Sequence, residues 1–417
     1  MNMRSRLGPF AHPAFTVYWS GGLVSNIGTW LQNVAASVFV YDHTGSALAV
    51  GILNFVAFAP MLLLSVTGGV ISDRFDRRLV VVVTHVISFV ISAVLALLAI
   101  AGAANELHVM ATAFLLQTSW TLAKPSSSAM LPALMPRAQL SEAVGLNTLQ
   151  FMIAQLAGPV LATILLTTSG YGWAFSINAF TFVAPIVAMV YLWSRGIGGQ
   201  PKRTPERVAT QTRSAVAYLR SQPWITAVLV GVVATSAVLE VIRTLSPALV
   251  TTRLGGASSE AGLIVAAASV GMVLGILASV PLGRRGHARA MAPVGLAMQL
   301  VGLFLVAVAT NLAVAGVAVA LVGWGFSFCF PVLTSAIQTE VPDAVRGRVL
   351  AFHQMAHLGN RPFAALAAGA IAASFGVGAA CLAAMLLAPL GLAAVRQAWR
   401  GLDEQAEPVG AIARTSI

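Results

Sequence analysis

Ionisable side chains are rare within the long apolar runs of this sequence, and the few that occur are spaced so that they could hold or move protons. Glu240 and Arg243 lie three residues apart in one run, so on a helix they share a face and can pair. His353, His357 and Arg361 follow at four-residue intervals in another run, which places them in one stripe. Burial and nearby charge can tune a carboxylate for proton exchange, and imidazole titrates near neutral pH.

Each group also has a purely structural interpretation. Glu240 and Arg243 could form a structural ion pair, and the two histidines could be a packed, hydrogen-bonded pair. In the functional interpretation Glu240 carries the proton, and Arg243 modulates the pKa of that carboxylate. The histidine stripe, with Asn360 beside it, faces a central cavity, because polar side chains are unfavourable in lipid. Two histidines supply fewer ligands than a metal site needs, so we expect no metal.

Further polar residues interrupt the apolar runs of the first half of the chain. Lys124 could bind an anionic ligand or pair with a carboxylate, or it could extend its ammonium to the membrane surface. The uncharged candidates for lining a cavity, each of which could instead form interhelical hydrogen bonds, are Asn26, Gln32, Asn33, Asn147, Gln150 and Gln155.

Composition identifies the elements that must position these residues. Of the 417 residues, 58% are hydrophobic and only 9% are charged, whereas a soluble domain has about 25% charged residues. Apolar runs of about 20 residues recur along the chain, which predicts an all-α membrane protein. The net charge of +11 lies mostly in short loops between runs, so we expect the lipid bilayer, and no nucleic acid, as a partner.

The order of runs and charges predicts twelve transmembrane helices in two six-helix bundles. Residues 1–194 form the first bundle, 195–222 a cytoplasmic linker, 223–400 the second bundle, and 401–417 a cytoplasmic tail. The last two runs are 349–374 and 377–395. Loop arginines then fall almost entirely on one side, which places both termini in the cytoplasm. Residues 206–219 of the linker could form an interfacial helix.

A charged turn between the second and third runs carries the strongest motif. Gly68 and Gly69 would let two helices approach closely, and the carboxylate of Asp73 could accept backbone hydrogen bonds at a neighbouring helix start. The pattern resembles the loop signature of the major facilitator superfamily, although that signature usually has glycine where Asp76 stands. Its residues, which we expect to control gating, are Gly69, Asp73, Arg74, Arg77 and Arg78.

Other stretches resemble the branch of that superfamily that contains the enterobactin exporter and related secretion effectors. Residues 27–30 look like its first span, and residues 341–348 look like the turn before its eleventh span. Gly158 and Pro159 resemble part of the helix-packing motif of antiporters, although Ala157 and Ala162 stand where that motif has further glycines. The resemblance implies the major facilitator fold and alternating access.

From these features we expect a proton-coupled exporter, not an enzyme, in the bacterial inner membrane. Basic groups outnumber acids at membrane depth, which favours an anionic or amphiphilic cargo: a siderophore, a drug-like molecule or another small amphiphile. A lipid flippase, a small-molecule importer and, more distantly, a membrane-embedded enzyme or a non-transporting receptor stay open as alternatives. The sequence has no nucleotide-binding loop, which argues against ATP-driven pumping. We expect no cofactor, and we expect a monomer.

Overall fold

A computed structural model describes residues 8–199 and 218–412, apart from the side chains of residue 344 and residues 405–412. The described chain is helical and contains no strand. The first half has the helices α1 (Pro13–Thr44), α2 (Ala47–Arg74), α3 (Arg77–Ile100), α4 (Glu106–Met130), α5 (Leu140–Thr168), α6 (Gly170–Thr181) and α7 (Val183–Ser194). The second half has α8 (Pro223–Arg253), α9 (Ala261–Arg284), α10 (Ala288–Val308), α11 (Leu312–Glu340), α12 (Asp343–Gly359), α13 (Arg361–Ala384) and α14 (Leu387–Ile412).

The chain divides into two compact units. Among the described residues, the first unit holds 8–199, 246–251 and 256–266, and the second holds 218–245, 252–255 and 267–412. In the first unit α1 packs along α5 and α2 along α4, and in the second α10 packs along α11. The predicted interfacial helix 206–219 lies outside the described residues except for its last two positions.

The surface identifies the chain as a multi-pass membrane protein. Nine helical stretches of the described chain are long and apolar enough to cross a membrane. One of them, Val345–Glu404, contains both of the last two predicted runs. Helices α1 and α4 are also long enough to cross a membrane, but they are too polar to be counted among the nine. Large apolar side chains such as Leu63, Val317 and Phe375 are about three-quarters exposed, which suits a lipid-facing surface.

Two of the predicted membrane runs are interrupted helices. The run near residue 182 separates into α6 and α7, and the run 349–374 separates into α12 and α13 at Asn360. Proline disfavours helix in the preceding residues and lacks an N–H, and Pro362 stands in the first turn of α13. Gly376, at φ +84°, turns the chain between the last two runs, a conformation that glycine adopts without strain.

Candidate functional site

Helix α8 places a carboxylate in the interior of the second unit. It is the most buried of the candidate spans found in the described chain, with 78% of its apolar segment buried against 28–56% in the others. Ser236, Glu240 and Arg243 recur at helical spacing on this helix, and Glu240 is only 2% exposed. A charge at such depth needs partners, because desolvation of an isolated carboxylate costs several kcal/mol.

Arg361 is the main partner of that carboxylate. Its Nε and Nη2 atoms each lie 2.7 Å from Glu240 Oε2, across 121 residues of sequence. Arg243 Nη1 lies farther away, at 3.7 Å from the same oxygen. Arg361 is the first residue of α13, so the helix break at Asn360 sets where its side chain starts. The sequence predicted the pair of Glu240 with Arg243 within α8. The structure adds the shorter pair of Glu240 with Arg361, which connects α8 to α13.

The ion-pair cluster formed by Glu240, Arg243 and Arg361 has two guanidinium groups and one carboxylate. The three side chains are only 3%, 13% and 14% exposed, respectively. Their formal charges leave one excess positive charge in a poorly solvated position. Electrostatic attraction is strong in such surroundings, so a second anion would be favoured here.

His357 joins this cluster through a hydroxyl of α8. Its Nδ1 atom lies 2.9 Å from Ser236 Oγ, which also contacts the carbonyl oxygen of Val232. A hydroxyl has one proton, so if Ser236 donates to Val232, then Nδ1 of His357 carries the proton that it donates to Ser236. The Nε2 atom is then the acceptor of the neutral ring. The ring packs 4.5 Å from that of Phe330.

His353 is enclosed by α11. It is 0% exposed, its Nε2 atom lies 3.2 Å from Thr334 Oγ1, and its ring lies 5.2 Å from that of Phe330. Thr334 Oγ1 also lies 2.9 Å from the carbonyl oxygen of Phe330, and if the hydroxyl donates there, then Nε2 of His353 carries the proton. Its Nδ1 atom is buried and has no hydrogen-bond partner. A second proton on this ring would therefore add a buried N–H without an acceptor, which is costly.

The expected histidine stripe is thus only partly correct. The expectation that it lines an open cavity is wrong for His353, because that ring fills the space beside α11. Asn360 also differs from the expectation, because its amide donates to the backbone carbonyls of Ala356 and His357 at the broken end of α12. It closes a helix end, and its buried Oδ1 atom has no hydrogen-bond partner.

The uncharged polar candidates of the first unit form interhelical hydrogen bonds in several cases. Asn26 Nδ2 donates to Gln150 Oε1 at 3.1 Å, which links α1 to α5. Gln32, 4% exposed, accepts hydrogen bonds from Asn178 and Ser92, two residues that sequence reasoning did not single out. The remaining candidates are placed as follows: Gln155 is buried, Asn147 is half-buried, and Asn33 is exposed.

Lys124 lies on the surface of α4. It is exposed, and its Nζ atom stands 5.6 Å from the ring centroid of Trp120, one turn earlier in the helix. A cation over an aromatic face is stabilised by the ring quadrupole. Among the described residues, Lys124 makes no ion pair with a carboxylate, so binding of an anionic ligand and extension to the membrane surface stay the open alternatives for this side chain.

The charged turn between α2 and α3 is organised by Asp76 rather than by Asp73. Asp76 caps α3 by accepting from the N–H of Arg78 at 2.8 Å, and its Oδ2 atom lies 2.7 Å from Arg78 Nη2. This hydrogen-bonded guanidinium holds the pKa of Asp76 below its usual range. Asp73 and Arg74 are exposed, and neither side chain pairs with a described residue.

Arg78 also connects this turn to the end of α7. Its guanidinium lies 5.2 Å from the ring of Trp193 and donates to the carbonyl oxygen of Ile197 at 3.3 Å. Arg77 donates through Nη1 to the carbonyl oxygen of Ala129 at 3.2 Å, near the end of α4. Arg77 and Arg78, two of the three arginines of the signature, therefore connect three helix ends within the first unit.

Glycines mark where helices of the first unit come closest. A Cβ atom on Gly158 would lie 2.5 Å from Trp30 Cβ and 2.8 Å from the carbonyl oxygen of Ile27, so the stretch that resembles the first span meets the helix-packing motif here. Pro159 follows it and is buried.

Gly68 faces the α4 backbone at Thr121, but a Cβ atom on Gly69 would meet nothing within 4 Å. The expected close approach at Gly69 is therefore wrong, since that residue faces away from α4.

Comparison with known proteins places this architecture in a family. Residues 4–411 match the family model described as transmembrane secretion effector. The chain is 28% identical over 349 residues to the enterobactin exporter EntS of Salmonella typhi, covering 81% of this chain and 80% of that protein. It is 25% identical over 381 residues to the multidrug efflux pump Tap of Mycolicibacterium fortuitum, covering 89% and 93%.

Solved structures of low sequence identity share the fold. A bacterial homologue of the human lysosomal transporter Spinster, inward-facing and occupied, aligns with a TM-score of 0.71 at 15% identity, covering 93% of this chain and 96% of that chain. A POT family transporter in complex with a thioalcohol-conjugated peptide aligns with a TM-score of 0.73 at 10% identity, covering 94% and 96%. These relatives and structural neighbours are transporters and not enzymes, as we expected of this chain.

Proposed function

The chain belongs to the transmembrane secretion effector family of major facilitator transporters, and on that premise we propose that it is a proton-coupled exporter of a small molecule. The cargo is a siderophore, a drug-like molecule or another amphiphile, moved by alternating access. The relatives named above support export, because they are an enterobactin exporter and a multidrug efflux pump. The observation that carries the proposal is the buried carboxylate of Glu240 between the guanidiniums of Arg361 and Arg243.

The architecture that we propose has twelve transmembrane helices in two six-helix bundles. The bundles are residues 1–194 and 223–400, joined by the cytoplasmic linker 195–222 and followed by the tail 401–417. Both termini lie in the cytoplasm of a bacterium, and the protein works as a monomer in the inner membrane. The charge bias of the loops supports this orientation. Cysteine labelling that placed Gly172 on the cytoplasmic side would contradict it.

The proposed coupling step is an exchange of partners at Glu240. When a neutral or cationic cargo binds, it displaces the proton from Glu240 by changing the solvation of the carboxylate and its distance to Arg243, and the two guanidiniums hold the deprotonated carboxylate. When a proton returns to Glu240 from the other side of the membrane, the attraction to Arg361 and Arg243 weakens and the cargo is released, so proton and cargo exclude one another as antiport requires. Coupling by this route needs differential contacts in the two states, and the ion-pair cluster supplies them.

The histidines have a secondary part in this proposal. His357 has the freer ring nitrogen, so its Nε2 atom is the next candidate to hold a proton. His353 stays neutral and holds α11 in place through Thr334, because a proton on its Nδ1 atom would have no acceptor. Lys124 and the exposed Asn33 are proposed as contacts of the cargo.

The charged turn is proposed to control gating on the cytoplasmic side. Asp73 is exposed in this structure, so its carboxylate is available to the backbone N–H groups of another helix start in a different state. In that proposal Asp73→Asn weakens cytoplasmic closure and shifts the population of states toward inward-open. Equal spin-label distance distributions across the cytoplasmic face in the parent and the variant would contradict this role.

Transport by purified protein in proteoliposomes tests the proposed function. Vesicles are loaded at one pH and diluted into another, and uptake or release of siderophores, lipophilic cations and labelled lipids is followed with and without a protonophore. The proposal expects cargo movement opposite to the proton gradient, abolished by the protonophore. Movement of labelled phospholipid alone would identify a flippase, and movement of cargo along with the protons would identify an importer.

A further inference from the structure

A groove on the second unit runs between the start of α8 and α14. Its floor is formed by the buried Ala227 and Ala394, and its rim by the exposed Val230 and Leu390. Its volume is about 450 Å³, within the range of ligand sites, which is roughly 300–1,000 Å³. The helices approach closely at one end, where a Cβ atom on Gly401 would lie 3.0 Å from Trp224 Cβ.

The groove changes from apolar to basic along its length. Toward Val230 its walls are aliphatic, and at the other end they include Arg220 and Gln397. A second pocket shares Gln397 and Pro223 with the groove and is lined by Arg400. Neither arginine forms an ion pair with a described residue. Glu404 also lines this second pocket, and the neighbouring residue Asp403 is already paired with Arg289 at 2.5 Å. Two cations against one carboxylate leave this end positive.

We propose that this groove binds an anionic glycerophospholipid. The acyl chains lie along Val230 and Leu390, and the phosphate is bound by Arg220 and Arg400 at the membrane surface. Basic residues close to a membrane surface attract anionic lipids. The aliphatic part opens onto lipid-facing surface, so a membrane lipid fits it better than a soluble anion does. This inference does not depend on the cargo or on proton coupling.

Native mass spectrometry of the purified full chain tests the site. The protein is titrated with phosphatidylglycerol or with phosphatidylcholine of the same acyl chains, and bound lipid is counted. We expect the parent to retain phosphatidylglycerol preferentially, and R220A/R400A to bind it about thirtyfold more weakly, because each arginine contributes about fivefold. The matched control is R284A/R285A, which removes the same charge from an exposed turn of the same unit and should leave binding unchanged.

A second variant tests the apolar part without changing charge. Ala393→Trp fills the exposed wall of the groove, so it should lower binding of phosphatidylglycerol while circular dichroism and thermal unfolding stay those of the parent. Equal binding of phosphatidylglycerol by R220A/R400A and the control would overturn the proposal. Equal affinity of the parent for the two lipids would overturn the proposal too, since the groove would then bind acyl chains without distinguishing an anionic headgroup from a zwitterionic one.

Discussion

Arg361 and Glu240 form an ion pair between α13 and α8, with Nε and Nη2 of the arginine both 2.7 Å from one carboxylate oxygen. Arg361 can reach Glu240 because its helix starts there, directly after the break at Asn360. If the helix continued through residue 360, the guanidinium of Arg361 would lie at a different position relative to Glu240. The pair therefore connects a local backbone feature to the charge at the centre of the second unit.

The first prediction compares the two arginines around Glu240. Arg361→Ala should destabilise the protein by about 3–5 kcal/mol, because it leaves a buried carboxylate without its closest partner. Arg243→Ala should cost less, since its guanidinium lies 3.7 Å away. Thermal unfolding in detergent measures both. The double variant Arg361→Met, Glu240→Gln should recover much of the loss, and equal destabilisation by the two single variants would argue against the pairing.

The second prediction concerns pH at the turn before α3. The lowered pKa of Asp76 means that its bond to Arg78 stabilises the turn above the pKa of the unfolded state, about 3.9, and that this contribution is lost as pH falls through the lower pKa of the folded state. Hydrogen exchange of the Arg78 amide, measured at acid pH and corrected for intrinsic rates, should therefore lose protection.

Two variants control that measurement. Asp76→Asn keeps a capping side chain but not the charge, so protection should be lower and nearly independent of pH. Asp73→Asn should leave the Arg78 amide as in the parent. If the Arg78 amide lost protection only in Asp73→Asn, then Asp73, the residue that the sequence pattern favoured, would stabilise the turn instead of Asp76.

The third prediction uses glycines that differ in their surroundings. Gly158→Ala should destabilise the first unit by about 1–3 kcal/mol, because its Cβ atom would overlap the backbone of α1. Gly69→Ala faces open space within a helix and should be neutral or stabilising by about 1 kcal/mol. Thermal unfolding of the two variants distinguishes these outcomes. A larger loss at Gly69 than at Gly158 would contradict the assignment of the close contact.

Much of this organisation could be predicted from local sequence. Apolar length and loop charge predict the helices, and three-residue spacing predicts the pair of Glu240 with Arg243. The pair with Arg361 could not be predicted, because it depends on how α8 and α13 pack. The hydroxyl of Ser236, one turn before Glu240, was a signal that could have been used, since it lies on the same helix face.

The charged turn shows a different limit of sequence reasoning. Asp73 has the position that the superfamily signature favours, yet Asp76 holds the structure of the turn. The difference is geometric, because Asp76 stands directly before α3 and can cap it, whereas Asp73 lies in the last turn of α2 and points outward. Resemblance identified the segment, and capping chemistry identifies which carboxylate orders it.

The fourth prediction separates the histidines. His353→Gln can still donate to Thr334 but cannot titrate, so the pH dependence of transport should stay that of the parent. His357→Gln should shift that dependence if its Nε2 atom exchanges protons during the cycle. Transport rates across a series of external pH values provide the comparison. A flattened profile in His353→Gln would show that the buried ring does take up a proton.

The most direct test of the central claim is gradient-driven transport in proteoliposomes containing Glu240→Gln. The account predicts that this variant binds cargo but does not move it against its gradient, that its cargo binding no longer varies with pH, and that Glu340→Gln, an exposed acid at the end of α11, behaves as the parent. Full proton-driven transport by Glu240→Gln would move the coupling role to the histidines. Transport that persists in the triple variant Glu240→Gln, His353→Ala, His357→Ala would contradict the proposed coupling chemistry altogether.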